Sequence, residues 1–219
     1  MPTRAMIVVG GGSSSRFESE KLLEVVADRP LVAHTVSAVR DLVDRCVFVS
    51  RIDLVETISD LQLDVDVVTG GDTRTLSEMA GLAALGGEFD LIGIHDAARP
   101  LVSVGLVEEL FQTAEVTGGA VPVLDPNTLL VERRLPIRID RAVTVQTPQV
   151  FRGPELLAAY VRSAQGAYDA QDTVEIVHQF GEIEIAAIPG DLANIKVTYP
   201  DDLEFVRRRL EDPARNEPR

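Results

Sequence analysis

The sequence is poor in cysteine and in positive charge, and each shortage excludes a class of function. Cys46 is the only cysteine, so no disulfide can form within the chain, which is typical of a reducing compartment. It lies in the apolar run 46–49, which predicts a buried, unreactive thiol. The 21 Lys and Arg residues face 35 Asp and Glu residues, giving a formal net charge of −14. Because such a chain repels nucleic acid and anionic membranes, we expect neither as a partner, and any polyanion site must be a local basic pocket.

Long apolar runs are missing as well. No stretch approaches the ~20 apolar residues that a membrane span needs, and the first apolar run, residues 5–9, is too short for a signal peptide. We therefore expect a cytoplasmic protein. A chain of 219 residues suits one α/β domain, which we place at 1–211. The polar residues 212–219 contain two prolines and are expected to form a frayed tail.

Short β-branched runs alternate with longer helical patterns. We predict strands at 5–9, 46–50, 65–69, 91–95 and 120–123, and helices at 30–43, 54–61, 75–85 and 104–117. This order predicts an α/β fold with a mostly parallel sheet flanked by helices. Residues 125–141 break the pattern and are interpreted as an extended β-arm. Beyond them we predict strands at 143–145, 183–188 and 195–198, and helices at 154–162, 172–180 and 200–209.

A glycine-rich loop follows the first predicted strand, at the strand end where ligands of parallel sheets bind. It reads Gly10-Gly11-Gly12-Ser13-Ser14-Ser15-Arg16 and continues to Lys21. Small residues let backbone N–H groups approach a phosphate or a base closely. Arg16 and Lys21 would stabilise the charge that develops on departing pyrophosphate. The loop matches neither the dinucleotide fingerprint nor a Walker A motif, and a flexible turn with solvated charges is the alternative.

A second pair of glycines follows the third predicted strand. Residues 70–77 read Gly-Gly-Asp-Thr-Arg-Thr-Leu-Ser, so Arg74 and Ser77 lie three residues apart on the first turn of a helix. Both could face a ligand at the helix N-terminus. The alternative is an ordinary helix start with Asp72 or Thr73 as the N-cap.

Charged residues accompany two further strands. Asp96 and Arg99 follow the fourth predicted strand; Asp96 is a natural Mg²⁺ ligand, and Arg99 would hold a substrate phosphate or balance Asp96. An internal salt bridge between them is the alternative, and His95 is expected to be structural. Lys196 lies inside the apolar run 195–198 and points either outward or into a site. In so acidic a chain we favour the site.

Together these segments resemble the 2-C-methyl-D-erythritol 4-phosphate cytidylyltransferase family of the non-mevalonate isoprenoid pathway. The resemblance covers residues 5–206 and rests on five motifs in the family's order: Gly-Gly-Gly-Ser-Ser-Ser-Arg with Lys21, Gly-Gly-x-x-Arg-x-x-Ser at 70–77, His-Asp-Ala-Ala-Arg-Pro at 95–100, Gln-Thr-Pro-Gln at 146–149 and Asn-Ile-Lys-Val-Thr at 194–198. It implies a nucleotidyltransferase fold related to glycosyltransferase-A domains. The implied reaction is direct attack of the substrate phosphate on the α-phosphorus of CTP, with Mg²⁺ as cofactor. A homodimer joined through the arm is implied as well.

The resemblance also implies roles for individual residues. Arg16 and Lys21 would hold the triphosphate, while Lys196 and Arg141 would hold the attacking phosphate, and these four are the implied catalytic residues. The nucleotide would lie against Gly10, Gly11, Gly12, Ser13, Ser14, Gly71, Asp72, Arg74, Ser77, Asp96 and Ala97. The acceptor would contact Asp96, Arg99, Arg141, Lys196 and Thr198, with Asp96 also on the metal.

Departures from the family pattern leave alternatives open. The arm is short, Arg138 rivals Arg141 for the acceptor phosphate, and Gln171 stands where the family often has threonine. Another acceptor, such as ribitol 5-phosphate, is therefore an alternative. Transfer of a different nucleotide is disfavoured by the motif at 95–100. A catalytically silent nucleotide-binding paralogue would be expected to lose charge at Arg16, Lys21, Asp96 or Lys196, and all four are present.

Overall fold

An eight-stranded, mostly parallel sheet flanked by helices forms the centre of the molecule. The computed structural model describes residues 1–11, 20–125, 143–166 and 168–211. Its strands are β1 (Arg4–Val9), β2 (Val25–Val26), β3 (Arg29–Pro30), β4 (Arg45–Ser50), β5 (Asp66–Thr69), β6 (Leu91–Asp96), β7 (Gly118–Leu124), β8 (Thr144–Val145), β9 (Gln149–Arg152) and β10 (Glu184–Pro189). Its α-helices are α1 (Leu31–Val39), α2 (Val55–Asp60), α3 (Arg74–Leu85), α4 (Val104–Thr117), α5 (Gly153–Gln165), α6 (Thr173–Phe180) and α7 (Pro200–Glu211).

The order of the strands confirms the predicted α/β class. The main sheet also contains one strand, β9, that the sequence pattern did not predict. The sheet runs β10-β7-β9-β6-β1-β4-β5, and β8 pairs with β7. β9 is antiparallel to both of its neighbours, β6 and β7, whereas the pairs along β6-β1-β4-β5 are parallel. The small β2–β3 hairpin forms a separate two-stranded sheet. The carboxyl ends of β1, β4, β5 and β6 therefore meet along one edge.

The predicted strand at 195–198 is wrong. This segment has no strand conformation, and its one backbone–backbone hydrogen bond to a distant part of the described chain runs from Val197 N–H to the carbonyl of Ala98 at 2.8 Å. After β10 the chain crosses the carboxyl ends of the strands, so Val197 is buried against loops instead of within the sheet. The apolar character of the segment correctly indicates burial but not the partner.

Two hydrophobic cores cover the two faces of the sheet, and β1 shows why the strand pattern produces both. Met6 and Val8 pack into the core that contains the apolar face of α1 and α4, while Ala5 and Ile7 pack into the core beneath α3, α5 and α6. Successive side chains of a strand point to opposite faces, so a strand covered on both sides is apolar throughout.

Cys46 is part of the first of these cores, as predicted. Burial raises the pKa of its thiol to about 12, which makes it unreactive at neutral pH. Among the helices within the described ranges, none is long and apolar enough to cross a membrane.

Candidate active site

A cavity of about 310 Å³ opens where β1 and β6 end and α3 begins. Its walls bring together the four chain segments that carry the predicted glycine and charge motifs, and they comprise Val9, Gly10, Gly11, Lys21, Leu22, Asp72, Thr73, Arg74, Ser77, Asp96, Ala97, Ala98 and Lys196. A larger groove of about 670 Å³ lies beside β5. Its Arg40 and Arg45 are already paired with Asp64 and Asp66. We place the site in the smaller cavity because it lies at the carboxyl ends of the strands and gathers cations around one carboxylate.

Asp96, the last residue of β6, is the electrostatic centre of this cavity. Its Oδ1 lies 2.7 Å from Nη1 of Arg74, and its Oδ2 lies 3.0 Å from Nζ of Lys196 and 3.3 Å from Nε of Arg99. Burial alone would raise the pKa of Asp96, but these cations outweigh it and hold the pKa well below its ordinary value. The carboxylate is therefore ionised at any physiological pH, and it keeps three cations together that would otherwise repel one another.

The cations of the cavity come from four separate parts of the chain. Arg74 begins α3, Arg99 follows β6, Lys196 lies in the crossing segment after β10, and Lys21 begins a short 3₁₀ turn, Lys21–Leu23. Nζ of Lys21 donates to the carbonyl of Val197 at 3.2 Å, which ties this turn to the segment that carries Lys196. A basic pocket thus forms within a chain of net charge −14.

Arg99 has two partners in this arrangement. Besides Asp96, it donates from Nη1 to the carbonyl of Asn194 at 2.8 Å. Arg99 therefore balances Asp96, as the salt-bridge alternative expected, and it also fixes the segment that leads to Lys196. Lys196 is the more exposed of these two cations, because 43% of its side chain is accessible against 11% for Arg99.

His95 is fully buried and fixes the backbone on both sides of Asp96. Its Nε2 lies 3.1 Å from the carbonyl of Arg99, which can only accept, so Nε2 carries the proton. Nδ1 then accepts from the hydroxyl of Thr147 at 3.1 Å, and the same hydroxyl oxygen accepts from the backbone N–H of Asp96 at 2.9 Å. Burial lowers the pKa of His95 to about 4, so the imidazole is neutral, as its predicted structural role requires.

The start of α3 shows that the capping alternative and a place in the cavity are compatible. Thr73 is the N-cap, and its Oγ1 accepts from the N–H of Leu76 at 3.2 Å. Ser77 donates from its hydroxyl to the carbonyl of Gly71 at 3.1 Å. A Cβ at Gly70 would lie 2.7 Å from Oγ of Ser77, so glycine is needed where this loop folds against the helix.

Some of the predicted site residues lie elsewhere or outside the described ranges. Thr198 does not line the cavity; its N–H donates to Asp202 at 2.7 Å at the start of α7, and its hydroxyl donates to the carbonyl of Lys196 at 2.9 Å. Gly12, Ser13, Ser14, Arg16, Arg138 and Arg141, and most of the predicted arm at 125–141, lie outside the described residues.

The motif at 146–149 has a supporting role that sequence reasoning did not assign. The side chain of Gln146 donates to the carbonyls of Asp191 and Asn194, at 2.8 and 3.0 Å, and accepts from Asp191 N–H at 3.0 Å. Asn194 in turn donates from Nδ2 to the carbonyl of Thr147 at 2.9 Å. These bonds attach the segment of Lys196 to the start of β9. The signal was the presence of several amide side chains beside apolar runs, which indicates buried hydrogen bonding.

A divalent cation fits this site only with ligands from the nucleotide. No group of three or more His, Cys, Asp or Glu side chains that could hold a metal occurs among the described residues. Asp96 supplies one carboxylate, and Mg²⁺ is commonly bound by one or two carboxylates together with substrate phosphates. The donor set is therefore that of a metal–nucleotide site and not of a resident metal centre.

Comparison with known proteins identifies the family. The sequence model of the 2-C-methyl-D-erythritol 4-phosphate cytidylyltransferase family (IspD) matches residues 4–211. The chain belongs to this family. The cytidylyltransferase of Carboxydothermus hydrogenoformans is 33% identical over 216 residues, covering 91% of this chain and 92% of that protein. That of Cereibacter sphaeroides is 33% identical over 225 residues, covering 96% and 97%.

Solved structures agree with this membership. The Thermus thermophilus 2-C-methyl-D-erythritol 4-phosphate cytidylyltransferase superposes with a TM-score of 0.80 at 27% identity, covering 97% of this chain and all of the other. The 4-diphosphocytidyl-2C-methyl-D-erythritol synthase of Anaerococcus prevotii has a TM-score of 0.83 at 22% identity over 96% of this chain and 99% of that one, which shows the shared fold. The fold of this cytidylyltransferase is thus the nucleotidyltransferase fold of the IspD family.

Proposed function

We propose that this chain transfers CMP from CTP to 2-C-methyl-D-erythritol 4-phosphate by direct attack of the acceptor phosphate on the α-phosphorus. An oxygen of the acceptor phosphate forms a new bond to the α-phosphorus. The bond from the α-phosphorus to the oxygen that bridges to the β-phosphate breaks, and pyrophosphate leaves. Cytidylyl transfer is the activity of the family whose model spans residues 4–211. The observation that carries the proposal is Asp96, in the wall of the cavity, in contact with Arg74, Arg99 and Lys196.

The nucleotide occupies the half of the cavity formed by β1 and the start of α3. Gly10 and Gly11 bring backbone close to the ligand, and Gly71, Asp72 and Ser77 lie across from them. Lys21, together with Arg16, holds the triphosphate and stabilises the charge that develops on the departing pyrophosphate. Gly12, Ser13 and Ser14 complete this contact, with Arg74, Asp96 and Ala97 at its inner end.

The acceptor occupies the half of the cavity that contains Lys196; Arg99 contacts Asp96 there but does not itself line the cavity. Lys196 holds the attacking phosphate, and its partial exposure lets Nζ turn from Asp96 toward a substrate oxygen without unfolding its segment. Arg141 contacts the same phosphate, with Arg138 as the rival. If Nζ of Lys196 leaves Asp96 when the acceptor binds, its positive charge would act on the negatively charged attacking phosphate.

Magnesium is the proposed cofactor. Asp96 would hold it together with phosphate oxygens of CTP, and the bound ion would neutralise phosphate charge and orient the leaving group. Both oxygens of Asp96 contact protein cations, so at least Lys196 turns away when the metal–nucleotide complex binds. Asp96 therefore exchanges one set of positive partners for another.

The remaining proposals concern organisation. Residues 1–211 form one nucleotidyltransferase domain, with the arm at 125–141 and a tail at 212–219. The protein acts in the cytoplasm as a homodimer joined through the arm. The family resemblance supports these proposals, and the oligomeric state is measured by sedimentation at assay concentration, with a monomer as the contradicting result.

The decisive experiment measures pyrophosphate release with CTP and Mg²⁺ in three arms. One contains 2-C-methyl-D-erythritol 4-phosphate, one ribitol 5-phosphate, and one no acceptor. Release in the first arm alone is the expected result. Release with ribitol 5-phosphate would keep the chemistry and change the acceptor, while no release despite CTP binding would contradict catalysis.

Three variants test the residue assignments. Lys21→Ala and Arg16→Ala should each lower kcat by several orders of magnitude, since each charge acts mainly in the transition state. Near-full kcat in either variant would contradict the triphosphate assignment. Arg141→Ala should raise the KM of the acceptor more than that of CTP, and an unchanged acceptor KM would favour Arg138.

A further inference from the structure

A buried acidic residue on α3 links the cavity to the two helices behind it. Glu78 is only 1% exposed. Its carboxylate accepts hydrogen bonds from the hydroxyl of Tyr160 on α5 and from that of Thr173 at the start of α6, the latter at 2.8 Å. Its Oε1 also lies 2.8 Å from Nε of Arg74, one turn earlier on the same helix. Glu78 does not line the cavity, but it contacts a residue that does.

Two carboxylates contact Arg74, and the charge of a third, Asp172 at the N-cap of α6, also acts on it. Its Nη1 lies 2.7 Å from Asp96, and its Nε lies 2.8 Å from Glu78. The Nε contact is an ion pair without hydrogen-bond geometry, and Nη2 has no hydrogen-bond partner among the described residues. The guanidinium is therefore oriented by charge on one side and by a charge-assisted hydrogen bond on the other.

We infer that Glu78 is a positioning residue for the nucleotide half of the site, acting through Arg74. Glu78 holds Nε of the guanidinium, so that Nη1 meets Asp96 at the wall of the cavity. Tyr160 and Thr173 hold Glu78 in turn, so α5 and α6 contribute to the orientation of Arg74 through Glu78. The inference rests on the proposed function, because it takes CTP as the ligand of that half.

The position of Glu78 argues against a role in stability alone. It shares the buried face of α3 with Leu82 and Leu85, where an apolar residue of similar size would pack without the cost of burying a charge. Burial raises the pKa of Glu78, and Arg74 opposes that shift. An ion placed in a core in this way needs a partner, and here the partner is a residue of the site.

The test measures CTP affinity by calorimetry, with Mg²⁺ present and without acceptor. Glu78→Gln keeps the shape of the side chain and removes its charge, and it should raise the Kd of CTP about tenfold, the scale on which supporting partners of ligand-binding groups act. The KM of the acceptor should stay within about twofold, since Lys196 and Arg99 do not touch Glu78. A residue that only stabilises the fold would lower Tm and the active fraction and leave the CTP Kd unchanged, and that result would overturn the inference.

A matched control uses the same substitution in a similar pair far from the site. Glu108→Gln breaks the contact between Glu108 and Nη1 of Arg4, which measures 2.9 Å and lies at the opposite end of β1. Its CTP Kd should equal that of the unmodified protein. An equal rise in both variants would overturn the inference, because it would show a general effect of lost surface or core charge.

A double-mutant cycle tests whether Glu78 acts through Arg74. In an Arg74→Gln background, Glu78→Gln should cause no further loss of CTP affinity, because the group that Glu78 orients is gone. A further tenfold loss in that background would overturn the inference.

If Glu78→Gln does not fold, a variant of the two residues that donate hydrogen bonds to Glu78 provides the test. Tyr160→Phe combined with Thr173→Val leaves the charge of Glu78 and removes both hydroxyls that hold it, so the CTP Kd should rise several-fold. An unchanged Kd would overturn the inference. An unmodified protein that binds CTP but releases no pyrophosphate would contradict the proposed function alone, since affinity reports on Glu78 independently.

Discussion

Acidification should destabilise the fold through one residue, His95. The buried imidazole has a folded-state pKa of about 4, whereas an unfolded chain has the ordinary value near 6.5. As pH falls below 6.5 the unfolded state takes up a proton that the folded state refuses, so stability falls, and the loss is complete near pH 4. The difference of 2.5 in pKa corresponds to roughly 3 kcal/mol in total, of which about 2 kcal/mol is lost between pH 7 and pH 5.

Burial is the main reason why the folded state refuses the proton, and the hydrogen bonds offer Nδ1 no acceptor for it. Nε2–H already donates to Arg99, and Nδ1 accepts from the hydroxyl of Thr147, whose oxygen accepts from Asp96 N–H. A proton on Nδ1 would face the hydroxyl hydrogen and force it to turn away. Each donor in this series of hydrogen bonds has one acceptor. A second N–H on the imidazole would therefore leave one buried polar group without a partner.

Urea unfolding at pH 7 and pH 5 measures this effect when the unmodified protein is compared with His95→Asn. The variant is expected to be less stable at both pH values, but its loss between them should be smaller by about 2 kcal/mol, because it lacks the titrating group. Carboxylates contribute equally to both proteins and cancel. Equal losses in the two proteins would refute the assignment of a neutral, acid-resistant imidazole.

The remaining predictions concern one pair of glycines, one cation and one helix cap. Gly81→Ala would put a Cβ 2.5 Å from Ile7 beneath α3 and should cost about 1–3 kcal/mol of unfolding free energy, whereas Gly105→Ala on α4, with no atom within 4 Å, should gain about 0.5–1 kcal/mol. Chemical denaturation of both variants checks the pair, and equal effects would contradict it. Lys196→Ala should lower kcat/KM for the acceptor about 100-fold, and Lys196→Arg should retain more activity because it keeps the charge at Asp96; steady-state kinetics decide, and equal activity of the two would contradict it. Ser103→Ala removes the N-cap of α4, whose Oγ accepts from Leu106 N–H at 3.3 Å, and should lower stability by about 1 kcal/mol in the same denaturation assay.

The sequence predicted most accurately the elements whose ends are determined by residues of the same segment. The helix predicted at 104–117 is observed as Val104–Thr117, because Ser103 caps its start and Gly118, at φ 109°, ends it. The strands β1, β4 and β6 were found within one residue of their ends, since an apolar run bounded by polar residues is decided locally.

Elements that depend on distant partners were not predicted. β9 has only four residues, and its conformation is fixed by antiparallel pairing with β6 and β7 on either side, both far away in the sequence. The segment 195–198 has the composition of a strand, but β10 pairs only with β7, and the chain after it closes over the strand ends instead. The composition of 195–198 therefore indicated an apolar, buried segment but could not supply its partner, and β9 was not predicted at all.

The candidate site shows the same division between residue identity and geometry. Asp96, Arg74 and Lys196 were singled out from the sequence by charge and by position after strands, but the contact between Arg74 and Asp96 was not foreseen. Glu78 was missed, although an acidic residue at the helical spacing of Leu82 and Leu85 is a signal of a buried, paired charge. A charged residue that interrupts the apolar face of a predicted helix is therefore informative in its own right.

The contrast between the net charge and the cavity follows from distance. At physiological ionic strength charges more than about 8 Å apart in water are largely screened from one another. The acidic surface therefore has little effect on a triphosphate inside the cavity, whereas cations within about 3 Å of a shared carboxylate interact strongly because water is partly excluded. Asp96 holds those cations together within the fold. Under the proposed function, a phosphate that enters the cavity would take over a partner that is already in place, so the cost of gathering these charges would be met when the chain folds.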